Sequence, residues 1–271
     1  MKDDFRKRRG LSGFSINRLI PNLITLAALC SGLTAIRFAL QGQFRLAVIA
    51  ILVAAIFDAL DGRVARRLGV TSQFGAELDS LSDFLCFGVT PALVLYLASL
   101  KDGGALGWVV TLMFPICSAL RLARFNTTLL SDTPPPAWTS SYFTGVPAPA
   151  GALLALVPLV LSFEAEAAWP RHALVVGAVL VMVGGLMVSR IPTFSFKKGR
   201  IPRHLVLPSL LVAALMMGVI ASSPWIGMSL LGLIYLSLVP YSWLTYRRQV
   251  ERDRLAPTSD VVPLRSVTAD H

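Results

Sequence analysis

Charged residues are scarce in this chain: they fill 15% of its 271 positions, against 55% hydrophobic residues and a mean hydropathy of +0.67. Ordinary soluble domains carry about a quarter of their residues as charges, so the scarcity excludes one. Cysteine is also rare. Cys30, Cys86 and Cys117 fall in apolar segments and form no C-x-x-C pair. They read as small buried hydrophobes that say nothing about redox compartment. Acidic residues are outnumbered 15 to 25, leaving a net charge of +10. In a soluble protein that excess would point to nucleic acid. Here the basic residues sit in short loops and tails, where they set membrane topology, and no nucleic-acid partner is expected. A small-residue cleavage site is missing after the basic N-terminus, which leads into a full-length span. No cleavable signal peptide is therefore expected.

What is present is a succession of apolar runs of about 17–22 residues, the pattern of an all-α, polytopic membrane protein. About eight transmembrane helices are predicted. They run from near Pro21 to Leu40, Phe44 to Leu60, Ala76 to Leu100, Ala105 to Arg121, Pro149 to Ser162, His172 to Ser189, Leu205 to Ala221 and Trp225 to Tyr246. The parts are a basic tail over 1–17, a transmembrane catalytic domain over 18–246 and a disordered tail over 247–271. Gly184-Gly185 offers a close-packing face. A long connection, Thr127 to Val146, holds Pro134-Pro135-Pro136 and the run Ser140-Ser141-Tyr142-Phe143-Thr144; a loop of that length is usually functional or a linker.

Eight spans put both termini on one side, and the positive charges test the count. All but four of the 25 lysines and arginines then fall on the side of the termini; Arg37, Arg45, Lys101 and Arg171 lie opposite. By the positive-inside rule, both termini and the loop after Leu60 face the cytoplasm.

That loop belongs to the stretch Asp58–Asp83, DALDGRVARRLGVTSQFGAELDSLSD. Asp58 and Asp61 are spaced to share one helix face, as are Asp79 and Asp83. A carboxylate near the bilayer centre costs roughly 2.5–3.5 kcal/mol on insertion scales, so four of them need compensation. Oxygen ligands of this kind suit hard divalent cations, Mg2+ or Mn2+, which bind carboxylates together with substrate phosphates. Two ions held there would clamp a pyrophosphate. Gly62 and Gly75 allow close approach of a ligand or a neighbouring backbone, and Arg66 can make charge-assisted bonds to phosphate. Two other readings stand beside this one. Arg63, Arg66 and Arg67 can pair with the aspartates in a buried salt-bridge network, or the acids can line a cation or proton path. Asn22 and Thr25, on one face of the first span, suit either helix capping and interhelical bonding or a ligand contact.

The spacing D-x2-D-G-x2-A-R-x8-G-x3-D-x3-D, from Asp58 to Asp83, covers about a tenth of the chain. It resembles the signature of the CDP-alcohol phosphatidyltransferase family at every fixed position. The resemblance implies a membrane enzyme with a six-helix core, homodimeric, whose active site opens to the cytoplasm and which displaces CMP from a CDP-linked lipid with an alcohol. It implies that Asp58, Asp61, Asp79 and Asp83 are metal ligands and that Asp83 is also the general base. Gly62, Ala65, Arg66 and Gly75 would accommodate or contact the CDP moiety. Ser72, Asn22 and Thr25 would add nucleotide-side contacts.

Four further runs, FLCFGVTPALVLY, RLARFN, YFTGVPAPAGA and SRIPTFSFKK, resemble the bacterial members of the family that use serine. With them the resemblance extends from Pro21 to about Tyr241. It implies transfer of the phosphatidyl group of CDP-diacylglycerol to L-serine in a bacterial cell membrane, giving phosphatidylserine and CMP. Serine carries a carboxylate, for which Arg121 and Arg124, with Asn126 nearby, are candidate partners; helix anchoring at the headgroup level is the other reading of these arginines. Lys197, Lys198 and Arg200 can attract the anionic lipid or simply mark a positive-inside loop. Other acceptors (glycerol 3-phosphate, inositol or its phosphate, choline) would use the same chemistry. A cation transporter is the rival of another class, and a non-catalytic lipid-binding relative is the third reading.

Overall fold

The computed structural model describes residues 16–70, 72–129, 142–164, 169–189, 192–194 and 203–255. Outside them lie most of the basic tail (1–15), the three consecutive prolines with Ser140 and Ser141, the cations Lys197, Lys198 and Arg200, and the chain after Leu255. Among the described residues the fold is all-α apart from one pair of three-residue strands. Its elements are α1 (Ile16–Leu40), α2 (Phe44–Leu68), α3 (Gln73–Asp83), α4 (Thr90–Leu95), α5 (Gly104–Leu129), β1 (Tyr142–Thr144), α6 (Ala148–Leu161), α7 (Ala173–Val188), β2 (Pro192–Phe194), α8 (Arg203–Ser222) and α9 (Pro224–Leu255). Among the described residues two helical stretches, Leu19–Leu40 and Gln73–Thr128, are long and apolar enough to cross a membrane. The other apolar helices are shorter, and the count of eight spans stays an expectation. Leucines on the outer faces, such as Leu106, Leu174, Leu207 and Leu211, are 73–78% exposed. Apolar surface of that extent fits a lipid environment.

α1 is the spine of the half that bears the aspartates. Its buried positions are Pro21, Thr25, Ala28, Gly32, Ala35 and Ala39, a three-four repeat that keeps one narrow stripe inward. Ala47, Ala50 and Ala54 of α2 are buried as well. Small residues let membrane helices approach closely, where packing must do what hydrophobic exclusion does in water. On the other flank, Gly32 faces Cys86: a Cβ at Gly32 would lie 2.6 Å from the Cys86 Sγ. Ser82, Cys86 and Thr90, successive turns of one face, donate to the carbonyls of Thr25 (3.5 Å), Ala28 (3.4 Å) and Gly32 (3.4 Å).

Asp83 is followed directly by a π-helical segment, Phe84–Val89, and a second one, Tyr96–Leu100, follows α4. Pro91 has no N–H for the Phe87 carbonyl and breaks the regular ladder there. Such bulges concentrate at functional sites.

Several boundaries differ from the expectation, because an apolar run ends before its helix does. α2 continues two turns past Leu60. Gly69 stops it with φ 63°, its N–H turned back to the carbonyls of Ala65 and Arg66, the left-handed cap that glycine favours. α3 starts at Gln73 because Ser72 caps it, accepting from the Gly75 N–H at 3.0 Å. α5 runs to Leu129 and α9 to Leu255, so the tail expected from residue 247 begins inside a helix. The long connection is not all loop either. Tyr142–Thr144 pairs antiparallel with Pro192–Phe194. Of the glycine pair, a Cβ at Gly184 would lie 3.3 Å from Met113 and 3.4 Å from Cys117, while one at Gly185 would meet nothing within 4 Å.

Candidate active site

Asp58 and Asp61 sit on the last turns of α2, and Asp79 and Asp83 on α3. The Gly69 stop ends the first helix and the Ser72 cap starts the second, and both pack against α1. Asp58, Asp79 and Asp83, all half-buried, each offer a carboxylate oxygen within 4.8 Å of the others. Asp83 lies within electrostatic reach of both Asp58 and Asp79. Its Oδ1 is sealed from solvent and has no hydrogen-bond partner among the described residues. Buried polar atoms are normally paired, so this one marks a place for something that binds an oxygen anion. An all-carboxylate donor set with a spare lone pair is the chemistry of a hard divalent cation, Mg2+ or Mn2+, and the residues present fit such an ion.

Asp61 stands apart from this trio. It is 4% exposed, and its Oδ2 accepts from the Thr25 hydroxyl at 2.6 Å. That hydroxyl has one proton, and the Pro21 carbonyl at 3.1 Å competes for it poorly. The charge-assisted bond is the shorter and stronger one. Asp61 still lies within electrostatic reach of Asp58 and Asp79. Thr25, read from the sequence as a capping, bonding or ligand residue, therefore serves a carboxylate.

Around the trio, Gly75 sits where a Cβ would come within 3.0 Å of the Asn22 Oδ1 and 3.1 Å of the Ser72 Oγ. The absent side chain is what lets α1 and the α3 cap meet. Gly62 lies beside the Arg66 guanidinium, 3.5 Å from where a Cβ would be, and Ala65 is half-buried next to them. Arg63, Arg66 and Arg67 are all exposed, so the aspartates are not embedded in a buried network with them. Arg66 keeps electrostatic reach to Asp61.

The end of α5 supplies the candidate acceptor residues, and they separate. Arg121 is half-buried within electrostatic reach of Asp83 and of Tyr235 on α9, and its Nε is buried without a hydrogen-bond partner among the described residues. Arg124 turns elsewhere. Its Nη1 donates to the Val188 carbonyl at 2.9 Å and its Nη2 to the Ser189 carbonyl at 3.2 Å. A helix C-terminus leaves carbonyls unpaired and favours a cation, and the guanidinium fork matches two of them. Asn126 donates from Nδ2 to Ser80 Oγ at 3.1 Å, and Ser80 itself donates to Ala76 O at 3.0 Å. Sequence reasoning missed Ser80 and the Ser82–Cys86–Thr90 ladder. A signal was there: small polar residues interleaved with Asp79 and Asp83 at helical spacing.

The family model described as CDP-alcohol phosphatidyltransferase matches residues 18–189. Over 248 residues, 90% of this chain and 82% of the relative, the sequence is 37% identical to a protein of Mycobacterium leprae named CDP-diacylglycerol–serine O-phosphatidyltransferase. Proteins with the same name from Helicobacter pylori and Methanocaldococcus jannaschii are each 37% identical, over 180 and 182 residues, 66% of this chain in both cases and 73% and 76% of the relatives.

The Asp61–Thr25 pair yields a prediction. Thr25→Val keeps the shape and removes the donor, leaving a buried carboxylate short of a partner. We expect a loss of about 1.5–3 kcal/mol, read as a lower unfolding temperature in detergent, and near-complete recovery in Thr25→Ser. A Val variant as stable as the parent would show that the bond contributes nothing net.

Proposed function

The chain belongs to the CDP-alcohol phosphatidyltransferase family, and on that footing we propose that it transfers the phosphatidyl group of CDP-diacylglycerol to L-serine, releasing CMP. The observation that carries the chemistry is the carboxylate trio with the unpaired Asp83 Oδ1. The acceptor is supported by the names of the relatives that align over most of the chain.

Asp58, Asp79 and Asp83 are the residues that would hold a divalent cation, Mg2+ or Mn2+, and Asp61, fixed by Thr25, adds a carboxylate beside them for a second ion. When bound, the metal offsets the negative charge of the pyrophosphate and of the departing CMP. Arg66 serves the same end from the exposed last turn of α2, as a donor to phosphate oxygens. Gly62, Ala65 and Gly75 leave room for the nucleotide, with Asn22 and Ser72 at its side. Thr25 acts through Asp61.

An alcohol is a weak nucleophile at neutral pH, and a positioned base contributes about 10²–10⁴-fold. Asp83 takes the proton of the serine hydroxyl. The serine oxygen bonds to the phosphorus that carries the diacylglycerol. The bond from that phosphorus to the bridging oxygen breaks, and its electron pair leaves with CMP. Arg121, within electrostatic reach of Asp83, is the partner for the serine carboxylate. The rest is positioning and electrostatics. We place the enzyme in the bacterial cell membrane as a homodimer, with termini and site on the cytoplasmic side, as the charge segregation supports. Light scattering in detergent tests the dimer.

Purified protein given CDP-diacylglycerol, Mn2+ or Mg2+ and a panel of alcohols should yield phosphatidylserine and CMP with serine alone, scored by mass spectrometry. Product with glycerol 3-phosphate or inositol but none with serine would overturn the acceptor. In the same assay Arg121→Ala should raise the KM for serine by about tenfold or more, the scale of a lost charged hydrogen bond; an unchanged KM removes Arg121 from the acceptor site. Asp83→Asn should lower CMP release on the order of 10³-fold while the protein stays inserted, and retained turnover would remove Asp83 as the base.

A further inference from the structure

Three of the runs that resemble the serine-using members lie far apart in sequence and meet at one junction. Arg124, from the first, holds the carbonyls of Val188 and Ser189 at the end of α7 (2.9 and 3.2 Å). From the second, Val146 donates to the Leu186 carbonyl at 3.3 Å. Gly145, at φ 76°, comes so close that a Cβ would sit 2.6 Å from Met187 O and 2.9 Å from Ser189 O. The third run supplies Ser189 itself and β2, which pairs with β1. The last α7 carbonyls are thus met by a guanidinium and a backbone N–H from two other segments.

The junction is tied to the carboxylates by a short route. Two residues beyond Arg124, on the same turn of α5, Asn126 donates to Ser80 at 3.1 Å. Ser80 follows Asp79 directly and lies one helical turn before Asp83. Both terminal nitrogens of Arg124 are engaged by α7, so its guanidinium is committed away from the reacting groups. A lysine would reach one carbonyl where the fork reaches two.

We propose that Arg124 is a positioning residue: it fixes the last turn of α5 against the end of α7, so that Asn126, through Ser80, sets where α3 presents Asp79 and Asp83 to Asp58. The proposal rests on the reading of these carboxylates as the reacting site, and it withdraws Arg124 from acceptor binding. Misplacement of a reacting group by about 1 Å costs on the order of 10²-fold in rate. A residue that acts by placement changes kcat, whereas a serine contact changes KM.

The test compares Arg124→Ala, Arg124→Lys and Asn126→Ala in the full-length protein in detergent. Steady-state kinetics with serine and Mn2+ binding followed by electron paramagnetic resonance are the two readouts. Arg124→Ala should lower kcat on the order of 10²-fold, leave the KM for serine within about twofold, and weaken Mn2+ binding. Arg124→Lys should recover part of both losses. Asn126→Ala, which leaves the α7 junction intact, should show a smaller loss of the same kind. A raised KM for serine at unchanged kcat in Arg124→Ala overturns the proposal. So does an Asn126→Ala protein with parental kcat and Mn2+ binding, and that variant decides alone if Arg124→Ala fails to fold. Should the parent protein not use serine at all, the functional reading fails, while the Mn2+ titrations of the variants still decide the positioning role.

Discussion

Three carboxylates within 4.8 Å of one another, between helices built to face lipid, repel each other and resist desolvation. Two like charges about 4 Å apart cost roughly 4 kcal/mol at an effective dielectric constant of 20. No helix would gather them spontaneously, so the surrounding structure must hold them there. Hydrogen bonds and close packing do so. Thr25 ties Asp61 to α1 at 2.6 Å, and Ser82, one residue before Asp83, donates to the Thr25 carbonyl. The two links converge on one residue of α1, which places the α2 and α3 aspartates relative to a common support.

That support works because α1 presents almost no side-chain volume. Ala28, Gly32 and Ala35 on one stripe let both neighbouring helices approach closely, and the Cys86 sulfur fills the space a Cβ at Gly32 would need. In a lipid environment such contact replaces the hydrophobic drive as the source of association. Packing and site are therefore the same construction: a larger residue at Gly32 or Gly75 would move the carboxylates as well as open the helix pair.

The sequence made some of this legible and hid the rest for physical reasons. The aspartate pairs could be read because helical spacing is local: residues three or four apart share a face whatever the tertiary fold. Helix positions followed from apolar runs, but their ends did not, since α2, α5 and α9 continue into polar sequence that pays no desolvation cost outside the apolar layer. Separating Asp61 from the trio required knowing that Thr25, 36 residues earlier, takes its oxygen. The π-helical segment after Asp83 depends on Pro91, whose effect on a carbonyl one turn back has no apolar pattern to announce it. Arg124 was the clearest divergence. An arginine three residues from Arg121 looks like its partner for an anion, and only the end of α7 shows that its donors go to backbone carbonyls.

This contrast bears on how the reacting carboxylates and the acceptor end of the site are tied together. The α2–α3 stretch contains the carboxylates and Arg66 in one continuous run, but α1, through Thr25, and α5, through Asn126, hold it from outside. The end of α5 is set by distant partners at the end of α7. On the proposed reading, whatever the end of α5 presents to the acceptor is thus fixed by contacts outside that stretch. Changes at the junction would then move Arg121 and, through Asn126 and Ser80, the α3 aspartates with it, so the acceptor contact and the placement of the base shift together. Arg121 is the residue through which such a change would be felt, because it lies within electrostatic reach of Asp83 while both terminal nitrogens of Arg124 are engaged by backbone carbonyls.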